Sequence, residues 1–395
     1  MDNLKKWKAD PSKGEVFTPI ELVNLILDKI PSDVWTNPKS TFLDPCMGTG
    51  TFLIEIVRRL VDIYGYSELD AKSRVYGYEI RIKYINKLKR RGYVNIQHKD
   101  FLSDEIEMKF DVVIGNPPYQ KQVGPKKTQP IWPDFVKKSL DLCKEGGYVS
   151  LIHPNGWRNV DGIYKEIQTL IKSKEVVSLN MFSDKDGMNI FNASINFDIY
   201  LIKNSKNSNS ETKIITHDKN TIFYNINNLE FIPNGDFEKV LSLVAKENEE
   251  KVLILHSYSD YETRKPYMSK IKTINHVYPC VSNVTKSEEI KVLYSSTKSN
   301  GHFGIPKLIC GGASSGTNFF VDENGDYGIT QFSFGIIDDK ENLNQLKKVL
   351  KSDSFQKIVK NMPNNSNSIN YKILSTFRKD FWKEFLDEDG NVREL

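Results

Sequence analysis

Residues 40–202 predict an α/β fold: a doubly wound sheet of seven strands covered by helices on both faces, followed by a mixed α+β domain. Three observations carry this. Short β-branched and aromatic runs alternate with helical patterns over 40–202. A glycine-containing turn follows the first run and leads into a helix. The texture then changes at the polar stretch 204–210, Asn-Ser-Lys-Asn-Ser-Asn-Ser, which reads as a surface loop.

The strand runs fall at 41–44, 75–79, 94–98, 111–116, 148–153, 175–181 and 195–202. Helical patterns lie between them at 50–64, 81–91, 132–144 and 162–172, with Phe52, Ile56 and Leu60 at i, i+4 spacing. One more helix precedes the first strand. Its expected start has Thr18 as N-cap, Pro19 at the first helical position, Glu21 three residues after the cap, and Phe17 as a staple. Residues 211–228 read as a hairpin capping the first domain, which gives domains of 1–228 and 229–395. In the second, 235–246 predicts a helix, 291–337 a β-rich middle with turns at 299–301, 311–316 and 324–325, and 341–361 and 376–386 further helices.

Composition bounds the rest. The chain has 395 residues, 39% of them apolar and 27% charged, as in soluble globular proteins of two or three domains. No apolar stretch approaches the ~20 residues of a membrane span. The amino terminus lacks an apolar signal core, so a cytoplasmic location is expected. Cys46, Cys143, Cys280 and Cys310 stand far apart, with no zinc-ligand spacing, so no metal site is expected. A net charge of +4, from 55 basic and 51 acidic residues, leaves the partner undecided.

Four local elements carry chemistry. The strand-turn Asp44-Pro45-Cys46-Met47-Gly48-Thr49-Gly50 offers a helix N-terminus and close backbone approach to a ligand, or is a plain tight turn. Glu79, at the end of the second run, is placed to accept from both hydroxyls of a ribose, or is a solvated strand end. Asp100 and Phe101 follow the third run, where a carboxylate can accept from an adenine amine while a ring covers its face. Asn116-Pro117-Pro118-Tyr119 ends the fourth run, where ligands of open α/β sheets bind. Its two prolines remove donors and present carbonyl acceptors. With the Asn116 side-chain oxygen they form an acceptor-rich pocket suited to an –NH₂ group, and the Tyr119 ring is available to stack on a planar base.

The order of these segments, with Gly14-Glu15-Val16-Phe17-Thr18-Pro19 in front and about 165 residues behind, resembles the γ-type adenine-specific amino DNA methyltransferases of bacterial restriction–modification systems. The resemblance covers most of 14–202; the remainder matches only the general layout of the family's target-recognition domains. It implies a seven-stranded, Rossmann-like S-adenosylmethionine-dependent catalytic domain. Phe17 and Thr18 would contact the methionine end of the cofactor, and Asp44, Gly48 and Gly50 would form its floor. Glu79 would hold the ribose, and Asp100 with Phe101 the adenine. Asn116, Pro117 and Tyr119 would be catalytic. Tyr119 and Phe191 would stack on a target adenine flipped out of double-stranded DNA, although a Phe at the position of Phe191 also reads as core.

The acid-free run bearing Lys121, Lys126 and Lys127 is expected to grip phosphates as a loop beside that base. A second basic run, Arg81 to Arg91, reads as a solvated helix face. Cytosine amino-methylation, RNA or protein-glutamine methylation, and a catalytically idle specificity protein are the competing readings; Asn rather than Ser or Asp at 116 favours adenine. Only 13 residues precede Gly14, and Glu249-Glu250-Lys251 reads as charged surface, so modification without cleavage is expected. A monomer is expected, with any cognate restriction endonuclease separately encoded.

Overall fold

The computed structural model describes residues 17–125, 127–160, 162–206, 209–311, 318–363 and 369–393. Within them the chain separates after Glu230 into two compact units.

In the first unit, helices α1 (Ile20–Leu27) and α2 (Ser32–Thr36) lead into strand β1 (Phe42–Asp44). There follow α3 (Thr51–Asp62), α4 (Glu68–Ser73), β2 (Val75–Glu79), α5 (Ile82–Lys89), β3 (Ile96–His98) and β4 (Phe110–Gly115). A separate two-stranded ribbon, β5 (Gln120–Gly124) with β6 (Lys127–Pro130), precedes α6 (Trp132–Leu142). The chain continues through β7 (Cys143–Pro154), α7 (Lys165–Lys172), β8 (Lys174–Phe182), α8 (Asp184–Phe191), β9 (Phe197–Lys206), β10 (Thr212–Ile215) and β11 (Thr221–Tyr224).

The main sheet runs β11-β10-β8-β9-β7-β4-β1-β2-β3. Strands β3, β2, β1, β4 and β7 are parallel, whereas β9 lies antiparallel between β7 and β8. The expected seven strands are therefore present, and the predicted 211–228 hairpin adds two more at the far edge, β10 parallel to β8 and β11 antiparallel to β10. Strands β1 and β4 are buried almost throughout, as their continuous apolar runs require for a sheet covered on both faces. One core joins α1 (Val23, Ile26, Leu27), α3 (Leu53, Ile56, Leu60) and the sheet residues Phe42, Val75, Val112 and Ile114. At β1 and β4 the chain turns to opposite sides of the sheet, and the carboxyl ends of these two strands form the switch point where such folds bind ligands.

Two local expectations need correction. The first helix begins at Ile20 with Pro19 in the N-cap position, and no side chain caps it. The Thr18 hydroxyl is engaged elsewhere, and Phe17 packs edge-on against Tyr84 of α5 rather than stapling α1. Second, 120–130 is an antiparallel ribbon, with Lys121 opposite Gln129 and Gln122 opposite Thr128, not a loop.

The second unit holds two four-stranded sheets. Its elements are α9 (Phe237–Ser242), β12 (Leu253–Leu255), β13 (Met268–Ser269), β14 (Tyr278–Val284), β15 (Ile290–Ser295), β16 (Lys307–Cys310), β17 (Phe319–Asp322), β18 (Gly328–Ile329) and β19 (Phe334–Ile337), then α10 (Leu343–Lys351), α11 (Asp353–Asn361) and α12 (Tyr371–Leu374). The sheets run β12-β19-β16-β17 and β13-β15-β14-β18. The helix expected over 341–361 is broken at Ser352, whose hydroxyl accepts from the Phe355 N–H and caps a fresh helix. The 376–386 segment carries only a 3₁₀ turn at Phe381–Phe385. Strands begin well before 291. Of the 311–316 segment, all but Gly311 lies outside the described residues.

Candidate active site

Strand β1 ends in Asp44, a nearly fully buried carboxylate whose Oδ1 accepts from the Cys46 N–H at 3.1 Å. The chain then turns through Gly48 and Gly50, both left-handed (φ +50° and +83°). A Cβ on Gly50 would meet Leu88 Cδ1 at 2.5 Å, so only glycine fits there. Around Gly48 the space is open, with no atom within 4 Å of an added Cβ.

Glu79, at the end of β2, reaches across to this turn. Its Oε2 accepts from the Gly48 N–H and its Oε1 from the Arg81 N–H, both at 2.9 Å. Each oxygen keeps lone pairs for further donors. Burial, and then the nearby Glu79 charge, push the Asp44 carboxyl up to about 8, against the Cys46 amide that favours the ionised form. Burial likewise raises Glu79, although the Arg81 and Gly48 amides oppose it. The Cys46 thiol, buried beside both carboxylates, is pushed well up and is no nucleophile. Two buried acids held above their ordinary range make a site that favours a cationic ligand.

Strand β4 delivers Asn116 next door. Its Nδ2 donates to the Thr18 hydroxyl at 3.2 Å, a contact spanning 98 positions, while its Oδ1 is buried without a hydrogen-bond partner. A buried carbonyl oxygen without a donor is costly, and the Thr18 contact fixes which end of the amide is left unpaired. Gly115, which sequence reading passed over, makes the approach possible: a Cβ there would lie 2.8 Å from Asp44 Oδ1 and 3.3 Å from Pro45. A glycine closing a central strand is the signal that could have found it.

Tyr119 turns its hydroxyl inward beside the Cys46 thiol, buried and without a hydrogen-bond partner; burial raises it strongly. Its carbonyl accepts from the Ile131 N–H, which closes the base of the ribbon. Lys121 and Lys127 stand exposed on that ribbon; Lys126 lies outside the described residues.

The remaining expected residues are placed differently. Asp100 is exposed and folds back, its Oδ1 accepting from the Leu102 N–H at 3.0 Å. Phe101 is buried, stacked on Phe135 at 5.3 Å and 6.4 Å from Tyr78. It is a core ring behind the Asp100 turn and not the open platform expected of it. Phe191 ends α8, half-buried, and packs edge-on against Phe197 at 5.1 Å. Among the described residues no group of three His, Cys, Asp or Glu side chains could hold a metal ion, and no helix is long and apolar enough to cross a membrane.

Residues 53–191, from α3 to the end of α8 and including Asn116 to Tyr119, match the model of the Eco57I restriction-modification methylase family. The chain is also similar to the type II methyltransferase M.VspI of Vibrio sp. (strain 343), at 30% identity over 42% of this chain and 43% of that protein. It therefore spans less than half the length of that relative. An uncharacterized adenine-specific methylase of Mycoplasma pneumoniae is 25% identical over 47% of this chain and 68% of that protein. In fold, the chain resembles a nuclease-deletion mutant of the type ISP restriction-modification enzyme LlaGI, solved in complex with a DNA substrate mimic, with a TM-score of 0.55. That likeness covers 93% of this chain and 46% of LlaGI, at 12% identity. The Eco57I-family match spans the strand end that carries the unpaired Asn116 oxygen but starts after the Asp44–Gly50 turn.

The Thr18 contact gives a direct test. Replacing Thr18 by Val removes the acceptor that orients the Asn116 amide; were the site one for methyl transfer, turnover would fall roughly ten- to a hundredfold, the usual cost of misplacing a reacting group. Thr18→Ser should restore most of it, as single-turnover kinetics on the two variants would read.

Proposed function

We propose that this protein is an adenine-specific DNA methyltransferase that moves a methyl group from S-adenosylmethionine to the exocyclic amine of a base flipped out of duplex DNA. The observation that carries the reading is the buried, unpartnered Asn116 Oδ1 at the β4 strand end, oriented by Thr18 and lying beside the acidic Asp44–Glu79 turn.

The turn suits the cofactor. The cationic ammonium and sulfonium groups complement Asp44, the ribose hydroxyls complement the free lone pairs of Glu79, and the open space at Gly48 admits a ligand against the backbone. When bound, S-adenosylmethionine supplies an electrophilic methyl group. Asp44 and Glu79 hold the ligand, and Asp100 is the remaining candidate for its adenine.

An adenine amine is a weak nucleophile because its lone pair is delocalised into the ring. Asn116 Oδ1 accepts one N–H and the Pro117 carbonyl the other, which favours the pyramidal, charge-developing geometry of the transition state. Tyr119 borders the base, its ring beside the Cys46 thiol at the glycine turn. No base is needed before transfer, since the cationic product amine is acidic. Residues 231–395 act as the target-recognition unit, and the β5–β6 ribbon grips phosphates beside the flipped nucleotide.

Incubation with labelled cofactor and duplex DNA, RNA or protein acceptors tests this assignment: label should enter duplex DNA, and label confined to RNA or protein would overturn it. For the ribbon, the double exchange Lys121→Gln and Lys127→Gln should flatten the salt dependence of DNA binding by roughly two in log–log slope. Cofactor affinity should not change. Titrations at several salt concentrations check both.

A further inference from the structure

Residues 263–287 contain no aspartate or glutamate, yet include Arg264, Lys265, Lys270, Lys272 and Lys286. The second unit as a whole, 231–395, holds as many acidic as basic residues. The positive charge of this stretch is therefore local.

The same stretch projects an ordered turn. Strands β13 and β14 both pair antiparallel with β15, Met268 opposite Ser295 and Tyr278 opposite the same residue, so 270–277 leaves the sheet from a fixed base. Ser269 Oγ donates to the Ile271 carbonyl at 2.7 Å. Thr273 and His276 clamp the tip: the Thr273 N–H donates to the His276 carbonyl, and the His276 N–H donates to Thr273 Oγ1 at 3.1 Å. Between them stands Ile274, 93% exposed, the most exposed large apolar side chain among the described residues. Ile271 (69%) and Val277 (40%) flank it, and the exposed Lys270 and Lys272 lie on the same turn.

Single exposed apolar residues are ordinary. Three within seven positions, on a clamped turn rimmed with cations and free of acids, ask for a partner with anionic groups outside and flat apolar layers beneath. Duplex DNA has that construction, and isoleucine is among the side chains that proteins wedge between base steps. Resting on the DNA methyltransferase reading above, we infer that the 270–277 turn is a DNA-contacting wedge, with Lys270 and Lys272 on phosphates and Ile274 entering the groove to unstack a base step.

The test uses the full chain, its Lys270→Gln/Lys272→Gln double variant and Ile274→Ser. Each is titrated by anisotropy against a labelled duplex carrying the site that methylation-sensitive sequencing of wild-type product reveals, at several salt concentrations. Cofactor binding serves as the control for folding. The lysine variant should lower the log–log salt slope by roughly two. Ile274→Ser should weaken binding about tenfold with the slope unchanged, the size expected for losing part of an unstacking contact. Wild-type affinity and slope in both variants, with wild type methylating DNA, would overturn the wedge alone. A wild type that transfers no methyl to DNA would overturn the parent reading as well. Variants that lose only self-association or binding to anionic phospholipid vesicles, and keep DNA affinity, would reassign the turn to that partner.

Discussion

Asn116→Ala is expected to reduce methyl transfer by at least a hundredfold while leaving cofactor affinity within about twofold of wild type. The first figure follows from what the side chain does. Its Oδ1 is a buried acceptor aimed at charge that develops in the transition state, and removing one such preorganised group costs about 10²–10³ in turnover. The second follows from where the residue lies: the acidic turn is built from β1 and β2 through Asp44, Gly48 and Glu79, so truncation at the end of β4 leaves it intact. Asn116→Ala also removes a buried unsatisfied oxygen, so the variant should unfold no earlier than wild type. Single-turnover transfer, calorimetric titration with cofactor and a thermal melt read the three quantities on one preparation. Loss of cofactor binding in parallel with activity would mean that Asn116 holds the turn together and does not act on the base.

Asp44→Asn should have the opposite signature, losing the cofactor while stabilising the free protein. The Asp44 carboxyl titrates near 8 in the fold and near 3.9 when unfolded. Its folded pKa is thus raised, so the stability linked to its proton is complete below about pH 4 and is lost as pH rises through about 8. Asparagine keeps the oxygen that accepts from Cys46 and removes the charge. The variant should therefore be more stable than wild type above about pH 8, with the difference shrinking toward zero near pH 4. Cofactor affinity should fall at least tenfold, because the cationic ligand loses its counter-charge. In wild type, affinity should climb with pH toward about 8 and then level off as the carboxylate forms, with a proton released on binding at pH 7; in Asp44→Asn the profile should be flat. Chemical denaturation at several pH values and titrations in buffers of different ionisation enthalpy measure both.

These expectations mix what a linear reading reaches with what it does not. Strands β1, β2 and β4 were legible because strands buried on both faces must be continuous apolar runs, and the chemistry-bearing residues sit at their ends for the same topological reason. The 211–228 hairpin was also visible. The Thr18 cap was misread because its hydroxyl has a tertiary partner, Asn116, 98 positions away; spacing rules see only local acceptors. Gly115 looked like a strand end, since its cause, the Asp44 oxygen 2.8 Å from where a Cβ would stand, belongs to a neighbouring strand. The β5–β6 ribbon escaped because it is polar on both sides and carries no alternating pattern. Phe101 shows the converse: a motif position predicts a ring, but packing decides whether its faces meet a ligand or, as with Phe135, the core.

The central claim is that the unpaired Asn116 oxygen is shaped for an adenine amine. Mass-spectrometric nucleoside analysis of duplex DNA after incubation with the protein and S-adenosylmethionine tests it most directly. The predicted result is N6-methyladenine, abolished by Asn116→Ala. N4-methylcytosine as the product, or unmodified DNA from a folded protein that binds the cofactor, would contradict it.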